Sequence, residues 1–578
     1  MKKISMRILM AALVIVLFIS CGKTQIPEGL SMNEWTGAYL EQTVKEKKMK
    51  GGISAMIYKE GEILFSSGSG WADSSTGWIV DGRTPMPVGS ISKIFTSVAL
   101  MTLVEEGRVN LDDPVGTYLP RLKLEGGREM DVTVRDLLTH HSGIPGDLFA
   151  DWFDKPIDHI YELMNGRPLM AEPGTLFSYA NTGFTLLGLI IEEVTGLSFE
   201  SYVGQAVFGP AEMEHSYVHS ADAALAGERL PAGYFRKSEI PVPKLRDYPA
   251  GGFIVPADDM GKFIRALYRD HSLVSRETLS LMLTPQNEAN PVDRDFNIGL
   301  GFWLIDPMGT GELMASHGGD LPPYHALLVT LPEKELAVFV ASNDNGSGGT
   351  IAMEAGLAIA KELVSRENLG DNRINPSETV ALSEEDMAPY EGLYGTMAGL
   401  IELKPGHGYM KMKLGNIPLV LRKLESGYYS AELRPLNLFT IPVPQLAGLQ
   451  IDLYEAEGKP WLGLWMHGVY MGAGSMLEPV AYGDEYRKLV GDYADPQGTN
   501  ILADGSYVIS GISIAEKSGR YVMRVTLLGQ KIEMALRPDG EGRAVTDGAG
   551  RGMGDLVLYR FNDEGNPVLS WSGFELKR

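Results

Sequence analysis

One cysteine, Cys21, stands in a chain of 578 residues. No internal disulfide can form, and no cysteine metal site. Basic residues are few beside acidic ones: 51 Lys and Arg against 74 Asp and Glu give a formal net charge of −23. That balance argues against nucleic acid or anionic membrane as a partner, since both reward basic patches. Long hydrophobic runs are missing too. The apolar stretch Ile8 to Ile19 is about twelve residues, short of the roughly 20 that a spanning helix needs. No Gly-x-Ser-x-Gly motif occurs, which excludes an α/β-hydrolase elbow. Composition is otherwise globular, 44% hydrophobic and 22% charged, and the length suggests three or four domains.

The N-terminus reads as an export signal. Lys2, Lys3 and Arg7 precede the apolar run, and Ser20 stands just before Cys21, as in a secretory leader. Phe18-Ile-Ser-Cys21 resembles a bacterial lipobox. The resemblance implies that residues 1–20 are removed and that Cys21 carries lipid, with 21–30 as a tether. The expected localisation is therefore exported and membrane-anchored, through lipid rather than a protein helix. An uncleaved signal anchor is the alternative.

Pro87 to Gly107 is the stretch around which the rest is arranged. It predicts a helix apolar on nearly every face, hence buried in a large domain, with Gly107 as its left-handed cap. Its first turn carries Ser90 and Lys93, three apart and so on one face. A sheltered lysine loses its charge more easily and can then take the serine proton. Ser-x-x-Lys is common by chance, and a second match, Ser20-Cys-Gly-Lys23, falls in the leader. Ser90 therefore needs partners elsewhere.

Ser31-Met-Asn-Glu34 opens a helix with a capping box. Strands are expected at 53–58 and 63–67, around a glycine turn. Val132 to Leu138 predicts a helix ending at His140-His141. Adjacent side chains diverge and no further ligand stands at metal spacing, so the pair reads as loop packing. Further on, Tyr179 and Asn181 sit two apart on a tight, extended segment before an apolar helix. Aimed together into a cavity, they can relay a proton and grip a carbonyl. Residues 313–316 lead into His317-Gly-Gly-Asp320, followed by strands at 325–331 and 336–342 and a helix at 351–364.

Three separated pieces, Ser90-Ile-Ser-Lys93, Tyr179-Ala-Asn181 and His317-Gly-Gly319, together resemble the serine β-lactamase and penicillin-binding superfamily. The likeness points to class C β-lactamases and to their D-Ala-D-Ala carboxypeptidase, D-aminopeptidase and esterase relatives. Leu137 to Gly143, Gly174 to Tyr179 and Ala250-Gly-Gly252 fit the same family. The resemblance covers about residues 31–370. It implies an α/β (α+β) fold, an antiparallel sheet sandwiched by helices with a helical subdomain inserted.

By position, Ser90 would be the acyl-accepting nucleophile, Lys93 a base or proton shuttle, and Tyr179 the group handling the leaving-group proton. Asn181 would hold the tyrosine and the substrate amide. His317 and Gly318 stand where β-lactamases carry a lysine and a threonine that help bind the substrate carboxylate. Gly319 lets a strand approach substrate, and the backbone N–H groups of Ser90 and Asp320 would form the oxyanion hole. Histidine is fully charged only at lower pH and Gly318 has no hydroxyl, so the pattern looks more like D-aminopeptidases and esterases than penicillinases. No cofactor or metal is expected, and the partner would be a small-molecule or peptide substrate. A cell-surface sensor that binds penicillin or peptidoglycan without turnover, or an interaction lipoprotein, is the non-enzymatic alternative.

Residues 371–385 read as a linker. Beyond it, short strands separated by regular turns predict two all-β domains, sandwich or barrel, at 386–480 and 485–578. Tyr390-Glu-Gly-Leu-Tyr394 is echoed by Leu489-Val-Gly-Asp-Tyr493. D-aminopeptidases of the family also carry two β-barrels, with a loop of the last one shaping the active site. The glycine-rich stretch 537–555 is nevertheless expected to be a plain flexible hairpin.

Overall fold

In the computed structural model the described residues are 26–578, apart from 154, 236–237, 347–348, 370–377, 415–416, 434–448, 467–468, 496–508 and 528–529. Cys21 and the leader lie outside them. No single helix among the described residues is long and apolar enough to cross a membrane.

The sheet of the N-terminal domain is built from β1 (Gly52–Lys59), β2 (Glu62–Asp73), β3 (Trp78–Ile79), β4 (Trp303–Leu304), β5 (Ala315–Leu321), β6 (Tyr324–Leu331) and β7 (Leu336–Ser342). Its order is β3-β2-β1-β7-β6-β5-β4, with antiparallel neighbours. The first and last segments of the domain thus meet at its centre, where Ala55 faces Val340. Side chains alternate along a strand, and both faces are buried. Ile53, Ala55 and Ile57 pack beneath α1 (Met32–Glu46) with Val338 and Val340. Met56 and Tyr58 join Phe339 in the larger core on the other face.

That larger core contains α2 (Ser92–Glu105), α3 (Val134–Leu138), α4 (Asn181–Thr195) and α5 (Ala257–Tyr268); α6 (Ile351–Arg366) covers the first face. Phe95 of α2 lies 4.3 Å from Phe263 and 5.2 Å from Phe253 between ring centroids. Full burial of such a side chain stabilises by about 1.5–3 kcal/mol, so α2 is fixed at its middle. Its start differs from the single expected helix. Gly89–Ile91 form a 3-10 turn, and α-helix begins only at Ser92. Ser92 explains the join: its Oγ donates to Gly89 O (2.6 Å) and accepts from Phe253 N–H (3.0 Å).

The C-terminal third forms two barrels. In the first, nine strands among the described residues run from Thr379–Val380 to Val469–Met476. Gly392–Thr396 pairs with Val469–Met476, and Ile417–Leu424 with Tyr429–Glu432, which brings the sheet round on itself. Thr379–Val380 falls within the stretch read as a linker and adds a strand beside Ile417–Leu424. In the second, eight strands run from Gly491–Tyr493 to Phe574–Lys577, and Ala494 and Lys577 exchange backbone bonds of 2.9 Å to close it. The sandwich-or-barrel alternative is thus settled as barrels.

Candidate active site

Ser90 is half-buried in the 3-10 turn. Two glycines press this turn against β5. A Cβ on Gly89 (φ +52°) would lie 2.5 Å from Asp320 N, and one on Gly319 would lie 1.9 Å from Val88 O. Only a chain without a side chain at both places lets strand and turn touch. β4 pairs with Ala315 and Ser316 alone. Among the described residues, no strand covers the outer edge of β5 from His317 onward, beside the serine.

Lys93 follows one turn later and is fully buried. Its Nζ is 2.7 Å from Asn181 Oδ1, 2.6 Å from Ala250 O and 3.4 Å from Ser90 Oγ. A neutral amine has two N–H donors and one lone pair. In that form Asn181 Oδ1 and Ala250 O would take the two donors and leave the lone pair for the serine O–H. The electrostatics agree. Burial pulls the Lys93 pKa well below that of a free lysine, Arg551 adds to the fall, and Asp147 and Asp247 oppose it.

The Tyr179 ring lies under the same amine, 4.8 Å from Nζ to its centroid. Burial raises the phenol pKa above its ordinary value, against a hydrogen bond with Ser90 that lowers it. The phenol therefore stays protonated and can hand a proton on. Asn181 is the first residue of α4, after an extended Ala180, so the expected extended pair ends one residue early. His317 on β5 is buried, its Nδ1 2.6 Å from Gly318 O, and its ring 6.3 Å from Tyr179. Burial, with Lys93 nearby, pushes its pKa down to about 3. It is a neutral wall, not a cation. Gly318 faces the other way, toward Met353 Cε at 3.9 Å. The Asp320 carboxylate pairs with His325 Nδ1 (2.7 Å), while its backbone N lies beside Gly89.

Sequence reasoning missed four parts of this arrangement. Ala250 supplies a carbonyl, which no side-chain motif announces. His140 is more than loop filling: its Nδ1 accepts from Ala180 N–H (3.0 Å) and its ring lies 4.4 Å from Tyr179. His141 turns away to Asp293 (2.7 Å). Asp147 accepts from Asn181 Nδ2 at 2.7 Å.

The fourth part is Arg551, and it corrects the reading of 537–555 as a plain hairpin. Gln530–Pro538 and Arg543–Asp547 do pair as a hairpin, but 548–555 crosses to the N-terminal domain. Arg551 Nε donates to Asp147 Oδ2 (2.6 Å), and the guanidinium lies 5.1 Å over the Tyr179 ring. The loop is built for this reach. Met553 N–H donates to Gly550 O (3.0 Å) and Thr546 Oγ1 to Gly552 O (2.8 Å). A Cβ on Gly554 would lie 2.8 Å from Met170 Cβ. The glycine spacing was the available signal; the docking surface was not visible in sequence.

A half-buried serine beside a buried lysine at a helix start, with a tyrosine under the amine and an open strand edge facing it, is the arrangement seen in active-serine acyl-transfer proteins. The family model described as Beta-lactamase matches residues 39–360, and the chain belongs to that family, within the serine β-lactamase and penicillin-binding superfamily. It is 32% identical over 257 residues to the putative penicillin-binding protein PbpX of Bacillus subtilis (strain 168), covering 43% of this chain and 61% of that one. It is 26% identical over 310 residues to protein flp of Staphylococcus aureus (strain MW2), covering 51% and 60%. The match thus spans about three fifths of these curated relatives. Among solved structures, SurE shares the fold, with TM-score 0.57, 21% identity, and coverage of 77% of this chain and 99% of that one.

Proposed function

We propose that the protein is a serine hydrolase that acylates Ser90 with small amide or ester substrates, D-amino-acid peptides among them. The observation that carries this reading is the hydrogen-bond arrangement of Lys93, whose two acceptors leave its lone pair for Ser90. Lys93 removes the hydroxyl proton as Oγ bonds the substrate carbonyl carbon. The carbonyl oxygen becomes an anion facing the backbone N–H groups of Ser90 and Asp320. Such donors are worth about a hundredfold or more in rate. Tyr179 passes a proton to the departing amine or alcohol as the C–N or C–O bond breaks. Water then attacks the ester on Ser90 by the reverse proton path.

The neutral His317 and the bare Gly318 supply no strand cation for a penicillin carboxylate. This favours D-aminopeptidase-like or esterase-like substrates over β-lactams. The test is incubation with a serine-directed fluorophosphonate, chromogenic esters, D-Ala p-nitroanilide and nitrocefin. Expected are an adduct on Ser90 and turnover of the ester or anilide. Acylation without turnover would point to a sensor, and a protein that does not react would refute the hydrolase reading. We also propose export and tethering through lipid on Cys21; a Cys21→Ala chain should no longer take up labelled fatty acid or sediment with membranes.

A further inference from the structure

We propose that Arg551 is a positioning residue for the Lys93 base, completing from the last barrel a chain that runs Arg551–Asp147–Asn181–Lys93. The inference rests on the reading of Ser90 and Lys93 above. Asp147 accepts through both oxygens: Oδ2 from Arg551 Nε at 2.6 Å, and Oδ1 from Asn181 Nδ2 at 2.7 Å. A carboxylate only accepts, so the amide must turn its nitrogen to Asp147 and its oxygen to Lys93. That orientation takes one lysine N–H and Ala250 O takes another, so that in the neutral amine the remaining position, 3.4 Å from Ser90 Oγ, is the lone pair.

The Asp147 side chain is 11% exposed. Stripped of Arg551 it would be a nearly buried, uncompensated anion, two hydrogen bonds from the lysine. Such an anion favours the charged amine, and a charged amine is no base. The last barrel also holds the Asp147 backbone: Ser572 Oγ donates to Asp147 O (3.1 Å) and accepts from Phe149 N–H (3.2 Å). Two separate turns of one barrel therefore converge on one residue, one at its carboxylate and one at its backbone.

The titratable and charged groups that face Lys93 are few. Ser90 lies on its own turn. Tyr179 comes from the segment before α4, His140 from the turn just past α3 and His317 from β5. Asp147 comes from the loop after α3. Asp247, paired with Arg246 at 2.8 Å, lies farther off, and Arg551 completes the set. Both histidines are held neutral by burial. The net field at the amine is thus set by Asp147, Asp247 and Arg551, and Arg551 alone comes from another domain.

The experiment uses the full chain and the variants Arg551→Ala, Arg551→Lys and Arg551→Ala with Asp147→Asn. The rate of fluorophosphonate labelling at Ser90 is followed against pH, and the Lys93 titration is read by NMR of 13Cε-labelled lysine. In Arg551→Ala the acidic limb and the lysine titration should move up by about one pH unit, which is about tenfold in rate along that limb. The high-pH rate should be kept. Adding Asp147→Asn removes the anion while leaving an oxygen for Asn181, and should bring both back. Arg551→Lys should resemble the native protein. An Arg551→Ala chain whose lysine titrates unchanged, or whose loss is uniform in pH and not rescued, would overturn the proposal. If the native protein does not label, the hydrolase reading fails, and the lysine titrations still decide this one.

Discussion

Gly319→Ala tests the construction of the site at its tightest point. The added Cβ would lie 1.9 Å from Val88 O and 2.8 Å from Val88 C. Ordinary contact begins near 3.4 Å, so strand and turn must part by about 1.5 Å. The atoms met are backbone on both sides, and no side chain can swing aside. Val88 leads directly into the turn that carries Ser90, and its N–H is tied to Phe253 O (2.9 Å). A misplacement of about 1 Å at reacting atoms costs on the order of a hundredfold in rate. Overpacking costs about 1–3 kcal/mol of stability, a loss that leaves a domain of this size folded at room temperature. The expected result is therefore a folded protein whose Ser90 labelling falls about a hundredfold. Gly318→Ala is the matched control, because its Cβ meets only Met353 Cε at 3.9 Å; its loss should stay under about tenfold. Labelling rates with thermal melts of both variants decide the matter. Equal rates for Gly319→Ala and the native protein would refute the reasoning that these two segments together shape the nucleophile.

Three further outcomes follow from the same geometry. Lys93→Ala should lower turnover by about 10²–10⁴, the usual worth of a positioned base, with circular dichroism unchanged. Lys93→Met should raise the melting temperature, since burying an amine is costly and an apolar replacement of similar length is not. The sign of the pH dependence is fixed: the unfolded lysine binds its proton up to about pH 10.5 and the folded one releases it far lower. Native stability from this group therefore rises with pH up to that value, and the gap between the native protein and Lys93→Met should narrow across that range in melts taken at several pH values. Tyr179→Phe should slow anilide turnover more than p-nitrophenyl ester turnover, because a poor leaving group needs the phenol proton and a good one does not; equal losses would remove that role.

The parts of this architecture that local chemistry dictates were legible in the sequence. Ser90 and Lys93 share a face because of their spacing. The capping box at Ser31 appears with Glu34 Oε2 2.9 Å from Ser31 N. The apolar runs at 53–58 and 336–342 became central strands. What stayed hidden depends on distant segments. The start of α2 shifted to Ser92 because Phe253 claims the Ser92 hydroxyl. Ala250 acts through its backbone carbonyl, and every residue has one of those. Asp147 reads as an ordinary loop acid until the amide of Asn181 is set beside it. Arg551 lies 404 positions from its carboxylate partner, and nothing in a single chain's pattern couples two such places.

That long separation bears on how the molecule comes into being. A ribosome finishes the segment bearing Ser90 long before it reaches the codon for Arg551. A nascent chain, or one cut short by a premature stop, holds the nucleophile without the arginine that settles its lysine. On the reading proposed above, translation order then sets the timing: the lysine reaches its settled surroundings only after the last barrel has closed.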